Sequence, residues 1–361
     1  MRNIADTIKR LNARNTFADP SNTATNAVLN PLQDFGSNPG NLRAWLYLPG
    51  GLPADAPLVV VLHGCTQTAA EYDIGSGWSQ LAKKHGFAVL YPEQQRSNNP
   101  NLCFNWFATA DTTRGHGESL SISQMVSTML RRHSLDRTRT FITGLSAGGA
   151  MTGAMLATYP ELFKGGAIIA GLPYATATNI PEAFDRMRGH GLQKSEVLAD
   201  LVRRASDYKG PWPSLSIWHG TADMTVDPMN MEAIIAQWHC LHAIERDPAT
   251  TTVDGHTVRR WRNADGVAVI KAYSIRGMGH GTPIKATGRT SAGTARPFML
   301  DVGISSTWHI AQSWELIRDD AVTQEVVPYA PAPQKPLVEE NGSRSVGMVI
   351  EKALRAAGLM K

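Results

Sequence analysis

A serine between two glycines, a pair of aspartates after a strand-like run and a histidine in a glycine-rich loop are the residues best placed for covalent chemistry. Gly144-Leu145-Ser146-Ala147-Gly148 has the GxSxG pattern. In that pattern the serine sits on a strained strand-to-helix turn with its hydroxyl exposed above a sheet. A serine hydroxyl is a weak nucleophile at neutral pH. It needs a base within hydrogen-bond reach, and the base needs a carboxylate to orient it. On parallel sheets this relay commonly runs serine, acid, histidine along the chain, and the candidates here come in that order. GxSxG alone is common, and a serine in a tight turn is its bland reading. The flanks strengthen it: Phe141-Ile142-Thr143 leads in as a strand, and residues 147–159 lead out as a helix stopped by Pro160.

For the acid, His219-Gly220-Thr221-Ala222-Asp223-Met224-Thr225-Val226-Asp227-Pro228 offers two choices. Asp223 stands just past a strand end, where a carboxylate can reach a loop histidine, and is the triad candidate. Asp227 precedes a proline and an apolar helical stripe, the signature of a helix cap. For the base, five of the 11 histidines lie late enough: His239, His242, His256, His280 and His309. His239, His242 and His309 fall in helical patterns, and His256 in a polar hairpin tip. His280, in Gly277-Met278-Gly279-His280-Gly281, follows a strand directly and is the candidate base. His63 and His219 each precede a glycine at a strand end, where a loop-tying hydrogen bond is the expected role. A tetrahedral intermediate needs backbone N–H donors. Ala147, after the nucleophile, supplies one, and the loop His63-Gly64-Cys65-Thr66-Gln67 supplies the other through Cys65. Nothing near the Cys65 thiol points to thiolate activation.

The elements that must hold these residues alternate. Residues 42–48 read as a strand, and 58–63 as a continuous apolar strand of the kind buried on both faces. Then come helix 78–85, strand 87–91, helix 119–133, the serine strand and its helix, and strand 166–170. Residues 172–212 interrupt the alternation with two helical patterns, the second at 195–208. They form an insertion over the sheet end, either a lid or a packed helical layer. Strand 215–219, helix 228–241, strand 267–275 and helix 308–318 complete the body. This is an α/β chain with a mostly parallel, doubly wound sheet and a helical insertion over the C-terminal strand ends. Ligand sites on such sheets lie beyond those ends, where residues 63, 144, 219 and 275 all lead. The organisation is a peripheral segment 1–40, a body 41–325, a Pro-rich linker 326–345 and an amphipathic helix 346–361. The last docks on the body or on a partner.

Composition narrows the class. Of 361 residues 42% are hydrophobic and 18% charged, with net charge +4, a globular balance. The basic residues form isolated pairs such as Arg203-Arg204 and Arg259-Arg260, so nucleic-acid binding is not expected. No apolar run reaches the ~20 residues of a membrane span, and the first ten residues lack an apolar signal core, which points to the cytoplasm. Three cysteines are too few for a disulfide scaffold,, and no CxxC or HExxH supports a metal site.

Taken together, Leu62-His63-Gly64-Cys65-Thr66-Gln67-Thr68-Ala69, Tyr91-Pro92-Glu93-Gln94, Cys103-Phe104-Asn105-Trp106-Phe107, Gly144-Leu145-Ser146-Ala147-Gly148-Gly149, His219-Gly220-Thr221-Ala222-Asp223 and Gly279-His280-Gly281 resemble the polyhydroxybutyrate depolymerase-like esterases. That family is similar to feruloyl and acetylxylan esterases, and the resemblance spans residues 40–320. It implies an α/β-hydrolase fold, a Ser146–Asp223–His280 triad, no cofactor and hydrolysis of carboxylic esters. It also implies a Cys65–Cys103 disulfide and a cleft lined by Trp106. Secreted members carry a signal peptide and often a substrate-binding module. Neither is visible here, so the extracellular location the family implies competes with the cytoplasmic one. The leading expectation is an esterase for short-chain hydroxyalkanoate esters or oligomers. The alternatives are a feruloyl or acetyl esterase on plant polysaccharide, and a non-catalytic granule- or partner-binding protein. Oligomeric state is left open.

Overall fold

Alternation within one strand decides which layer covers which face of the sheet. In the computed structural model, which describes residues 29–317 and the backbone of 327–328, strand β3 (Leu58–Leu62) is buried at every position. Leu58, Val60 and Leu62 point into one core, and Val59 and Val61 into the other. Two faces buried at once require cover on both sides.

Strands numbered along the chain form one sheet in the order β1 (Asn30–Pro31), β2 (Arg43–Tyr47), β4 (Ala88–Glu93), β3, β5 (Thr140–Leu145), β6 (Gly165–Ile169), β7 (Ser214–Gly220), β10 (Ala268–Ile275), β9 (His256–Arg262), β8 (Ala249–Val253) and β13 (Val327–Pro328). The six from β4 to β10 are mutually parallel. The outer strands on both edges pair antiparallel. β11 (Thr282–Ile284) and β12 (Met299–Asp301) make a small parallel pair.

The helices are α1 (Ala69–Ser76), α2 (Trp78–His85), α3 (Thr109–Thr112), α4 (Gly117–Arg132), α5 (Ala147–Thr158), α6 (Ile180–Met187), α7 (Ser195–Arg203), α8 (Met229–His239) and α9 (Ser306–Ser313). One core joins Met125 and Met129 of α4, Met155 of α5 and Trp238 of α8. The other joins Tyr72 of α1, Trp78 of α2 and Trp308 of α9. α5 is buried at all its positions, which is why its sequence shows no polar stripe. α2 and α5 match their expected ranges to within a residue.

Several elements differ from expectation. α1 is unforeseen because its apolar periodicity is weak; its start is fixed by a capping box between Thr68 and Glu71,. β8 and β9 are half-polar antiparallel strands that the parallel pattern does not announce; the expected hairpin tip at His256 is the turn that joins them. The second insertion helix ends at Arg203, not 208, and the closing helix at Ser313, not 318. In the expected peripheral segment, residues 29–40 add strand β1 and the buried Leu32; residues 1–28 lie outside the described residues. So do the expected linker 326–345, apart from Val327–Pro328 on the β8 edge, and the expected helix 346–361.

Residues 172–212 fill the β6–β7 connection, with α6 and α7 inside it. α7 buries Leu198, Ala199 and Val202 and packs on α8. The Gln237 side chain on α8 donates to the Leu198 and Tyr174 carbonyls and accepts from the Tyr174 amide. Those bonds anchor this half of the insertion. α6 instead lies at the cleft described next.

Candidate active site

At the end of β5 the chain turns directly into α5, and Ser146 makes the turn with φ +57° and ψ −117°. That is a strained conformation for a residue with a Cβ. The flanking glycines are sterically required: a Cβ on Gly144 would lie 2.4 Å from the Gly148 carbonyl oxygen, and one on Gly148 2.4 Å from the His63 oxygen. The Ser146 amide donates to Ile169 of β6, 2.9 Å away. As the first residue of α5, Ala147 has an amide without an intrahelical acceptor.

The expected acid and base meet beyond β7 and β10. Nδ1 of His280 lies 2.8 Å from Oδ2 of Asp223, and both residues are buried. With Nδ1–H donating to the carboxylate, Nε2 is left unprotonated, the tautomer a base requires. Oδ1 of Asp223 accepts from the Thr225 and Val226 amides, each at 2.9 Å. Burial alone would raise this carboxyl, but hydrogen bonds from His219 and His280 outweigh it and hold Asp223 well below the usual carboxylate range,. Asp227 spends its side chain on the Met229 amide at the start of α8, a helix-capping task.

The remaining late histidines are engaged elsewhere or sit apart. His256 bonds the Val302 carbonyl and the Arg276 amide, and His309 bonds Asp254. His239 closes α8, and burial pushes His242 down to about 4.

His219 does more than tie a loop. Its Nε2–H donates to the Val226 carbonyl at 2.9 Å and also lies 3.4 Å from Oδ2 of Asp223. The candidate acid therefore faces two imidazoles, and the second was not expected. His219 lies four residues before Asp223, but its strand-end position carried no local sign of this contact. Its Nδ1 is buried with no hydrogen-bond partner among the described residues.

The loop after β3 uses its amides unevenly. Gly64 N–H donates to the Gln67 side chain, Gln67 N–H to the Gly64 carbonyl and Thr66 N–H to the Asn101 carbonyl. Among the described residues this leaves the Cys65 amide as the loop's available donor. Cys65 is disulfide-bonded to Cys103, as the resemblance implied. His63 ties the loop down: Nδ1–H donates to the Gly64 carbonyl and Nε2 accepts from the Gln94 amide. Burial pushes its pKa down, and the neutral ring fits both bonds.

Behind the disulfide, Glu118 is fully buried. It accepts from Gln94 Nε2 at 2.5 Å, Asn105 Nδ2 at 2.9 Å and the Asn105 amide at 3.0 Å. Burial, with Asp111 nearby, pushes its pKa up to about 8 against the effect of those bonds,.

Ser146, Ala147, the disulfide and Trp106 line one cleft. Trp106 is 8% exposed and packs in a small apolar cluster with Leu172, Ala183 and Val226, so it serves both cleft and core. α6 adds to the lining through Ile180, Ala183, Phe184 and Met187. Reading the sequence placed an insertion here but did not single out these side chains. Among the described residues no cluster of His, Cys, Asp or Glu could hold a metal ion, and no helix is long and apolar enough to cross a membrane.

A parallel sheet covered on both faces, a serine elbow after β5 and an Asp–His pair beyond β7 and β10 define an α/β-hydrolase. Residues 42–272 match the family described as Esterase PHB depolymerase, and the chain belongs to that family. It is 46% identical over 329 residues to poly(3-hydroxyalkanoate) depolymerase C of Paucimonas lemoignei, covering 87% of this chain and 79% of that protein. It is 34% identical to an acetylxylan esterase of Coprinopsis cinerea, covering 72% and 70%. Among solved structures, the acetyl xylan esterase from Aspergillus awamori aligns with a TM-score of 0.63 at 28% identity, over 70% of this chain and 93% of that one. The protein is a serine hydrolase that acts on carboxylic esters.

Proposed function

We propose that the protein hydrolyses short-chain hydroxyalkanoate esters and oligomers, with Ser146 as nucleophile, His280 as base and then acid, and Asp223 as the orienting carboxylate. Ser146 Oγ attacks the ester carbonyl while His280 Nε2 takes its proton. The Cys65 and Ala147 amides stabilise the oxyanion. His280 then protonates the departing alkoxide, and a water activated by the same imidazole releases the acid from the acyl-enzyme. Asp223 stays ionised throughout, as its two imidazole neighbours favour.

The observation that carries the substrate reading is the character of the cleft: much of its lining beside Ser146 is aliphatic and aromatic, from Leu172 and Val226 to Phe184 and Met187. A short branched acyl chain matches such a lining by apolar burial. The depolymerase named among the relatives supports the same reading. An acetyl or feruloyl ester of a polysaccharide is the second reading. It draws on the acetylxylan esterase relatives and on Thr66, Asn99 and Asn101, which also line the cleft.

The Cys65–Cys103 disulfide favours an oxidising compartment,, so of the two expected locations we propose the extracellular one.

Hydrolysis of p-nitrophenyl acetate and butyrate, hydroxybutyrate oligomers, acetylated xylan and methyl ferulate tests this reading, with Ser146→Ala as control. Hydroxybutyrate turnover that vanishes in the variant is expected. Turnover confined to acetylated xylan or ferulate moves the protein to the second reading. Binding without any turnover by folded wild type would contradict both and favour a granule- or partner-binding role.

A further inference from the structure

Among the described residues four large hydrophobic side chains stand out in solvent: Met224 at 84%, Met229 at 57%, Val267 at 57% and Val197 at 47%. Two of the four flank the turn that directly follows the candidate acid. Met224 follows Asp223 directly, and Met229 opens α8. The turn between them is rigid. Asp223 Oδ1 holds the Thr225 and Val226 amides, His219 holds the Val226 carbonyl, and Asp227 Oδ1 holds the Met229 amide. The exposure of the two methionines therefore belongs to a fixed surface and not to a loose end.

The same turn reaches the cleft. Val226, two residues from Met224, points inward and lines it, as does Met187 at the end of α6. The Asp227 amide donates to the Met187 carbonyl at 2.7 Å, and Asn230 Nδ2 to the Arg186 carbonyl at 2.9 Å. These bonds join the methionine turn to the α6 wall. Two of the charges nearby are engaged locally: the Asp227 carboxylate caps α8, and the Arg186 guanidinium donates to the Thr176 and His190 carbonyls.

We propose that Met224 and Met229 form an adsorption rim for the part of an aliphatic polyester chain that extends beyond the cleft. This rests on the hydroxyalkanoate reading above. A polymer bound with one ester at Ser146 must leave the cleft over one of its borders. This border offers flexible thioether side chains, which adapt to irregular apolar surfaces. A polyester presents methyl and methylene groups with weak acceptors and no donors, so it matches such a rim. A polysaccharide, with a hydroxyl on nearly every carbon, does not. The exposed apolar patch bordering the site then becomes a binding feature.

The test compares wild type, Met224→Ser/Met229→Ser and Met224→Leu/Met229→Leu. Each is assayed on soluble p-nitrophenyl butyrate and on polyhydroxybutyrate film. Adsorption to the film is measured with the same substitutions in a Ser146→Ala background, so that binding is read without turnover. Neither methionine lines the cleft, so soluble kcat/KM should stay within about twofold, while film adsorption and erosion fall roughly tenfold in the serine variant and persist in the leucine variant. Wild-type adsorption and erosion by the serine variant would overturn the rim, as would equal losses on film and soluble ester. Failure of wild type to turn over any soluble ester would instead strike the hydrolase reading, and the adsorption arm would still judge the rim.

Discussion

The serine elbow and the α6 wall border the same cleft but are built under opposite constraints. Around Ser146 the backbone itself fills the space. Gly144 sits against the Gly148 carbonyl of α5, Gly148 and Gly149 sit against backbone carbonyls of or just beyond β3, β5 and β6, and α5 is buried throughout. α6 buries only Ala183 fully, and Ile180, Phe184 and Met187 reach the cleft from a helix that is otherwise half in solvent. On the proposed mechanism the first region fixes where the reaction happens. The second can change what fits without disturbing the fold.

The largest expected effects fall on the elbow. Ser146→Ala should cut ester turnover by about 10⁴-fold or more, with circular dichroism unchanged. Gly148→Ala, whose new Cβ would press on the His63 carbonyl, should lower unfolding free energy by about 2–4 kcal/mol and reduce activity with it. A melting temperature equal to wild type would mean the elbow has slack that its geometry denies.

Glu118 tests the seam that ties the Cys103–Trp106 side of the cleft to the sheet. Its folded pKa of about 8 lies above the ~4.3 of an unfolded glutamate. Its contribution to stability is therefore complete below about pH 4 and is lost as pH rises toward 8, at up to about 1.4 kcal/mol per unit. Above that, both states are ionised and the slope vanishes. Glu118→Gln should flatten the fall of melting temperature between about pH 5 and 8; parallel wild-type and variant curves would show that Glu118 does not titrate there.

The smallest effect belongs to the wall. Met187→Ala should shift the butyrate-to-acetate preference by roughly tenfold with melting temperature nearly unchanged. A collapse of turnover on both esters would make α6 part of the same rigid unit as the elbow, and the contrast would fail.

This contrast also explains what could be read from the sequence. Ser146 with its glycines, Asp223 past a strand end and His280 in its glycine loop each carry a local pattern, because backbone geometry demands those residues in short stretches. The parallel core was legible for the same reason, through runs such as Leu58-Val59-Val60-Val61-Leu62. Asp227 showed its capping role through the proline that follows it. The α6 wall left no such mark, since Ile180, Ala183, Phe184 and Met187 match any amphipathic helix. The approach of His219 to Asp223 depends on how the turn after β7 folds back, which no residue type announces. β8 and β9 showed only as the hairpin turn at His256, because antiparallel strands outside the parallel core keep polar residues on their exposed positions,.

The most direct test of the central claim is covalent capture of the nucleophile. The protein is incubated with diethyl p-nitrophenyl phosphate, and the adduct is located by intact-mass and peptide mass spectrometry. The account expects one phosphoryl group per chain, on Ser146, gained in step with the loss of esterase activity and absent from Ser146→Ala. A stoichiometric adduct on another residue, or full inhibition with Ser146 unmodified, would contradict it.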